Sequence, residues 1–373
     1  MAVEQDLGHG WVLGLTYMMS LGRELPSAVD TNVNTANTYD YTFTVVAPTA
    51  TSTSNSFGIN NTEAPSYSSY PQPAVTGYVT LPSGGKTVPF AVGQTFTTKV
   101  FLQPAGTSAS TRPNPAYGQI LKVLSDVNSS YNALAVQLNH RWEKGLSFMS
   151  NYTWSHALDD NPYLSTVVPT FNRLDPTDRH LEHGNSVLDV RQRFVGAFVF
   201  QPQTHFHGLT DTLIGGWRIA PIVQLQAGLP FTPYVSGSVS GLTVPNGVDG
   251  CTTAAGCTVN SAYKGLNGSG SSADRLPWID RNTYNYPRTA VVDVRVGKNF
   301  YINLPHLNSS RLEFFAEAFN LMNHQNITGI TDEAYTLSGT SLTPNSSFGN
   351  YTNSNSNYMY TPRQIQLAAR YHF

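Results

Sequence analysis

One short stretch of the sequence carries the residue types of a hydrolase triad. Ser155 and His156 are followed closely by Asp159 and Asp160. Consecutive residues of a β-strand point to opposite faces, so Ser155 and His156 cannot face the same substrate if this stretch is extended. We therefore expect no catalytic site here, and nothing else in the sequence indicates an enzyme.

A second stretch could supply metal ligands. His180, Glu182 and His183 place three donors within four residues, and Asp175 and Asp178 add hard oxygen ligands nearby. Donors this closely spaced in a polar loop are typical of solvated side chains. We expect neither a metal centre nor any other cofactor.

The two cysteines form a third candidate site. Five residues separate Cys251 from Cys257 within a stretch rich in Gly, Ser, Thr and Asn, with no nearby His to complete a zinc site. This spacing favours a disulfide within a loop. Such a bond indicates an oxidising compartment outside the cytoplasm.

Composition limits the function classes. The 373 residues include 21 Lys+Arg and 23 Asp+Glu, so 12% of the chain is charged, about half the roughly 25% of soluble proteins. The net charge of -2 provides no basic field for nucleic acid, which is excluded as a partner. No run of 18 apolar residues occurs, so no transmembrane helix is predicted.

Apolar and polar residues alternate in segments of about ten residues, the pattern of strands with one apolar face. Eight such segments predict strands at Trp11 to Ser20, Tyr131 to Trp142, Leu146 to Ser155, Arg191 to Gln201, Leu213 to Gln226, Arg288 to Phe300, Arg311 to Leu321 and Arg363 to Phe373. Two further strands are predicted at Tyr39 to Val46 and Thr95 to Leu102.

The links between these strands alternate in length. Those near 143–145, 202–212 and 301–310 are short, whereas those near 22–130, 159–190, 227–287 and 322–362 are long and polar. Outer-membrane barrels have short periplasmic turns, long external loops and an apolar band that meets lipid. The sequence therefore predicts an all-β, antiparallel, up-and-down transmembrane barrel segment of about 8–10 strands in the bacterial outer membrane, with outer-membrane lipid around it.

Charged residues on the polar sides of the strands are predicted to face the lumen. An Arg on the lipid face near the midplane would cost about 2–4 kcal/mol. We expect these residues to form a salt-bridge network that supports the wall and contacts a plug. Contact with a substrate is the alternative role. The residues are Arg191, Arg193, Asp293, Arg295, Glu313 and Glu317, and Arg141, Arg218 and Arg370 are assigned to the same side.

Most of the chain from about Gly10 resembles a known family. The motifs, in order, are SSYNALAVQLNHRW, GLSFMSNYTWSHALDD, LEHGNSVLDVRQRFVGAFVF, GGWRIAPIVQLQAGLPFT, PRTAVVDVRVGKNF, EFFAEAFNLMNHQN and TPRQIQLAARYHF. Together they resemble the C-terminal part of the barrel of Oar-like TonB-dependent transporters. The alternation of Ile365, Leu367, Tyr371 and Phe373 is similar to the C-terminal signal by which the barrel-assembly machinery recognises its substrates.

The resemblance implies further parts in an intact family member, which we do not expect within this chain. An intact family member has a signal peptide, a plug domain that contacts TonB, and a 22-stranded barrel. The expectation is that residues 1–373 form one domain, the C-terminal portion of such a barrel, without plug or signal peptide and inactive in energised uptake by itself. We expect an open sheet or strained partial barrel whose unpaired edges are Trp11 to Ser20 and Arg363 to Phe373.

Three functions remain open on the sequence. The leading hypothesis is the barrel portion of a TonB-dependent receptor for an unidentified substrate. A secreted or surface adhesin that binds glycans would share the low charge and the polar loops, and a small self-contained pore would share the strands.

Overall fold

The computed structural model describes residues 1–36, 38–47, 88–104, 113–114, 116–117, 120–161, 173–202, 213–239, 242–247, 251–259, 274–304, 307–354 and 361–372. Within these ranges almost all regular structure is β-strand, with one 3-10 turn at Arg179–Glu182. No helix in the described ranges is long and apolar enough to cross a bilayer.

The strands, in chain order, are β1 Ala2–Gly8, β2 Trp11–Asp30, β3 Thr38–Val45, β4 Thr95–Pro104, β5 Leu121–Glu143, β6 Leu146–Asp159, β7 Gly184–Asn185, β8 Gln192–Phe200, β9 Trp217–Gln226, β10 Pro230–Phe231 and β11 Tyr234–Ser238. They continue as β12 Thr243–Val244, β13 Cys257–Val259, β14 Asp274–Arg275, β15 Tyr284–Asn285, β16 Thr289–Leu304, β17 Leu307–Phe319, β18 Ile327–Ile330, β19 Glu333–Ser338, β20 Ser341–Pro344, β21 Tyr351–Ser354 and β22 Gln364–His372.

Nine long strands form one antiparallel sheet, which we call the wall. Its order is β1-β2-β5-β6-β8-β9-β16-β17-β22, and the short β7 pairs with β6. Each wall strand is therefore paired with the wall strands that precede and follow it along the chain, as in an up-and-down barrel. The eight strands predicted from the alternating segments all lie in the wall.

One face of the wall is apolar. Val296 in β16 lies opposite Ile219 in β9 and Ala316 in β17, and Ala316 lies opposite Leu367 in β22. The side chain of Leu367 is 80% exposed, and many other large apolar side chains of this face are also exposed. An exposed apolar surface of this extent marks an interaction surface, and a single-layered wall offers no second layer to cover it.

The opposite face is polar. Arg295, next to Val296, lies opposite Ala220 in β9 and Glu317 in β17, and Glu317 lies opposite Gln366 in β22. The period-2 alternation thus stays in register across neighbouring strands, which keeps charged and apolar side chains on separate faces.

The wall does not close within the described residues, because β1 and β22 each pair with one wall strand and not with each other. The expected open sheet is therefore present, but its first edge is β1 and not Trp11 to Ser20. Trp11 to Ser20 is paired on both sides, with β1 and β5. The predicted terminal residue Phe373 lies outside the described residues.

The neighbouring wall strands β2 and β5 are longer than a bilayer requires. β2 has 20 residues and β5 has 23, whereas a tilted transmembrane strand needs only about 9–11. The predicted loop 22–130 was therefore too wide, since strand pairing continues to Asp30 opposite Leu121. The far halves of β2 and β5 therefore extend beyond the length needed to cross a bilayer, on the side of the long connections.

A lysine on the apolar face marks the end with short turns. β9 begins at Trp217 and not at Leu213, because 213–216 form a helical turn. Lys298 is buried, and its ammonium group donates hydrogen bonds to the carbonyls of Leu213 (3.2 Å) and Gly215. The charge is thus held by backbone carbonyls, which offsets the cost of burying it.

Segments from the long connections form a second sheet, which we call the loop sheet. Its order is β12-β13-β4-β3-β20-β19-β11-β14, and the pairs β11 with β19 and β20 with β3 are parallel. The predicted strands at Tyr39 to Val46 and Thr95 to Leu102 exist as β3 and β4, but they belong to this sheet. Their assignment to the wall was wrong, because alternation specifies a strand and not its partner.

The largest buried apolar core lies among the long connections and not in the wall. Its fully buried side chains include Phe43, Val235, Leu276, Tyr335 and Phe348. The long connections are therefore a folded structure with its own core. The wall has the exposed apolar face of a sheet that is surrounded by lipid.

Candidate functional site on the polar face and its external junction

A polar pocket of about 360 Å³ lies on the polar face of β9, β16, β17 and β22. Cross-strand register assembles it, because Arg218 lies opposite Gly297 and Arg311 lies opposite His372. Its charged and polar lining residues are Arg218, Arg295, Asn299, Arg311, Glu313, Arg370 and His372, with Gln201 at its rim.

Arg295 organises the acidic side chains of this pocket. Its guanidinium lies 3.8 Å from Glu313 and 3.5 Å from Glu317, and it stacks on the ring of Phe315 at 3.9 Å. His372 lies 3.5 Å from the other oxygen of Glu313. Three of the six predicted lumen charges, Arg295, Glu313 and Glu317, therefore meet in one network.

The other arginines of the pocket form no ion pair with the acidic side chains that the structure describes. Within the described residues, no ion pair within 4.0 Å joins a carboxylate to Arg218, Arg311 or Arg370. The Nε atom of Arg311 and the side-chain oxygen of Asn299 are buried without a hydrogen-bond partner. The pocket thus carries excess positive charge and unsatisfied hydrogen-bonding groups. Arg311 and Asn299 were not singled out from the sequence, although counting register from Arg295 could have found them.

The remaining predicted lumen charges lie apart from this pocket. Asp293 accepts a hydrogen bond from the backbone of Asn320 at 2.8 Å, and Arg193 is exposed on β8. Arg191 precedes β8 and is not in the wall. Its guanidinium binds Asp189 at 3.0 Å, so its role as a wall charge is corrected to an anchor of the neighbouring loop.

A second polar cluster joins the end of the wall to the long connections. Arg281 is 3% exposed and donates to the carbonyls of Asp159 (2.7 Å) and Glu182 (2.9 Å), and it pairs with the Asp159 carboxylate. Glu182 is fully buried, accepts from the backbone of Leu174 at 2.8 Å and pairs with Arg275 at 2.9 Å. We call these contacts the junction.

Residues 173–175 extend the junction to both sheets. Arg173 is buried and binds Ser27 of β2 and Asp126 of β5, both at 2.8 Å. Asp175 binds Lys99 of β4 at 2.9 Å. Burial opposes ionisation of Asp175, but hydrogen bonds from Thr177 and Lys99 outweigh it, so its pKa lies below the ordinary value. The segment thus ties the wall to the loop sheet.

The triad residues are separated by their hydrogen bonds. The Ser155 hydroxyl donates to the carbonyl of Val190 at 2.6 Å, whereas the His156 ring lies 3.0 Å from the amide oxygen of Asn185. These residues support the connection between β6 and β8.

Two of the residues considered as metal ligands, Glu182 and His183, take part in the junction. Glu182 is buried against Arg275, and His183 lies 2.7 Å from Asp160. Among the described residues, no group of three His, Cys, Asp or Glu side chains is placed to hold a metal ion.

Cys251 and Cys257 are joined by a disulfide, with their Cα atoms 5.6 Å apart. Both are buried, at 1% and 2% exposure, in the core of the long connections. The bond therefore lies inside packed structure among the long connections and not in a solvent-exposed loop. Cys257 of β13 also pairs across the sheet with Val244 of β12.

A one-layered antiparallel wall with an apolar and a polar face, short turns at one end and long folded connections at the other defines a transmembrane β-barrel type of protein. The family model "Outer membrane beta barrel domain" matches residues 1–366. The chain belongs to this family, and its location is the bacterial outer membrane. Comparisons with curated proteins and with solved structures gave no match.

Family membership gives the wall its orientation. Outer-membrane barrels place short turns in the periplasm and long connections outside. The loop sheet and the junction are therefore external, and the arginine pocket, near the short link between β16 and β17, lies toward the periplasm.

Proposed function

We propose that the chain forms the C-terminal part of the barrel of an Oar-like TonB-dependent receptor that moves an unidentified substrate across the outer membrane. The observation that supports this most is the folding of the long connections into one buried core at the outer end of the wall. A preorganised external structure offers a fixed surface for recognising a substrate.

The free edges of the wall support a larger barrel. In lipid each unsatisfied backbone group costs several kcal/mol, so exposed sheet edges do not occur within the hydrocarbon region. β1 and β22 each have one free edge in the described residues. We infer that further strands of the same barrel pair with these edges in the working receptor.

The polar face supports a plugged lumen. Charged side chains crowd this face on β16 and β17, where Arg295 is shared by Glu313 and Glu317. A wide barrel closed by a plug domain would place polar protein surface against these groups, and TonB would act on that plug. These partners are part of the proposal.

The alternatives fit less well. A soluble secreted adhesin would expose the apolar face to water, including Leu367 and Ile365 at 80% and 65% exposure. A small self-contained pore requires β1 to pair with β22, which the described ladder does not show. Non-enzymatic function stays part of the proposal.

The test is site-specific photo-crosslinking in the native bacterial outer membrane. A photoreactive residue at Gln366, on the polar face, should crosslink to a plug domain of the same receptor. The matched control at Leu367, one residue later on the apolar face, should react with lipid only. Plug crosslinks from neither position, together with discrete channel conductance of the purified chain, would replace the receptor with the small pore.

A plug crosslink alone does not test energised transport. We therefore expect the crosslink from Gln366 to change in strength when TonB is deleted, because TonB acts on the plug. An unchanged crosslink would contradict the TonB-dependent part of the proposal while leaving the barrel part intact.

A further inference from the structure

The lining of the arginine pocket contains four arginines and one acidic side chain. Four strands contribute Arg218, Arg295, Arg311 and Arg370, whereas Glu313 is the acidic side chain of its lining. Arg295 is engaged with Glu313 and Glu317, which leaves the other three guanidiniums without a carboxylate among the described residues. Like charges gathered in this way destabilise a site unless an anion is present.

The unsatisfied atoms point to the same missing partner. The Nε–H of Arg311 is a buried donor with no acceptor. Buried donors are nearly always paired, so an unpaired one indicates a group that the protein binds. The Asn299 side chain beside it is also unpaired at its oxygen, and rotation of the amide would offer an N–H to the same space.

We propose that this pocket binds a phosphate compound from the aqueous phase. Guanidinium groups recognise phosphate through paired N–H donors, and a phosphate group has enough oxygens for three arginines, whereas a carboxylate has two. The volume of about 360 Å³ leaves room for more than one phosphate group.

The position of the pocket favours a soluble source over a phospholipid headgroup. All of its charged lining residues lie on the face opposite the apolar, lipid-facing side chains, as with Arg370 between Ala369 and Tyr371. A headgroup would have to leave the bilayer surface to reach it. The inference does not depend on the receptor function proposed above.

The experiment titrates the full chain, folded in detergent micelles, with inorganic pyrophosphate at low salt, by calorimetry. Saturable binding is expected, and it should weaken as salt rises. Arg311→Gln and Arg370→Gln should each weaken it about tenfold or more, because each removes a charge-assisted hydrogen bond. Arg370 lies on edge strand β22, so its variant disturbs few contacts if Arg311→Gln fails to fold.

The matched control is Arg141→Gln. Arg141 is an exposed arginine near the same end of the wall, on β5, three strand spacings from β9 or about 14 Å. Its removal should change the affinity less than twofold. Equal weakening by all three variants, or no saturable binding, would overturn the site. Tighter binding of short-chain phosphatidic acid, or of citrate, than of pyrophosphate would overturn the assignment of a soluble phosphate ligand.

Discussion

Replacing Arg281 tests whether the junction holds the external structure on the wall. Its side chain is 3% exposed, pairs with the Asp159 carboxylate and donates hydrogen bonds to the backbone carbonyls of Asp159 and Glu182. Arg281→Met fills most of the volume but leaves these acceptors unpaired. Breaking a buried ion pair from one side costs about 3–5 kcal/mol.

Hydrogen exchange measured by mass spectrometry locates this loss of stability along the chain. A local cost of about 3–5 kcal/mol corresponds to exchange that is faster by about two to three and a half powers of ten. We expect this acceleration at 173–191, including the amide of Leu174 that donates to Glu182. Strand pairing between β8 and β9 should exchange as before, because the hydrogen bonds and ion pair of Arg281 among the described residues go to Asp159 and Glu182.

A double variant tests the coupling between Arg281 and Asp159, and a second variant serves as a control. Arg281→Met combined with Asp159→Asn should lose less than the sum of the two single changes, because the partners are coupled. Arg23→Met removes an exposed arginine whose hydrogen bonds, within the described part of the chain, go to the carbonyls of Gly22 and Ser129. It should alter exchange little. Equal protection in Arg281→Met and the unchanged chain would refute the role of the junction.

Three further outcomes are expected. Replacing Cys251 and Cys257 by Ser should destabilise the external core by about 2 kcal/mol, from the entropy of closing a ring of this size, and intact mass of non-reduced protein showing two free thiols would contradict the bond. The pKa of Asp175 is lowered in the folded state, so its ion pair with Lys99 stabilises the fold at pH values above the pKa of the unfolded carboxyl. This stabilisation is lost as the pH falls through the folded pKa, and hydrogen exchange in the junction should therefore accelerate in acid. An Asp175→Asn variant that keeps the full acid sensitivity would argue against this. Deleting Phe373 should lower the amount assembled in the outer membrane, measured by heat-modifiable mobility, and unchanged levels would contradict the assembly signal.

The wall could be predicted from the sequence because its information is local. Alternation in segments such as Arg288 to Phe300 fixes which residues share a face, and meander connections pair each strand with its neighbours along the chain. β1 was missed because a seven-residue segment at Ala2–Gly8 has charged residues on it and no strong apolar face. Its turn signal, Gly8-His9-Gly10, has positive φ at all three residues.

The loop sheet could not be predicted in the same way. The parallel pairing of β11 with β19 joins Val235 to Tyr335, one hundred residues apart, and no local pattern encodes such a contact. The arginine pocket shows an intermediate case. Arg218, Arg295 and Arg370 were assigned to one face correctly, but their convergence depends on the register of four strands.

The assignment of the wall to the outer membrane depends most on which of its faces meets lipid. The decisive measurement is quenching, by brominated lipids, of a fluorophore attached to single cysteines at consecutive positions of β22, in a background where Cys251 and Cys257 remain bonded. Strong quenching at Ile365, Leu367 and Ala369 and weak quenching at Gln364, Gln366 and Arg370 is the predicted result. Quenching that is equal at odd and even positions, or absent at all of them, would contradict a wall embedded in the outer membrane.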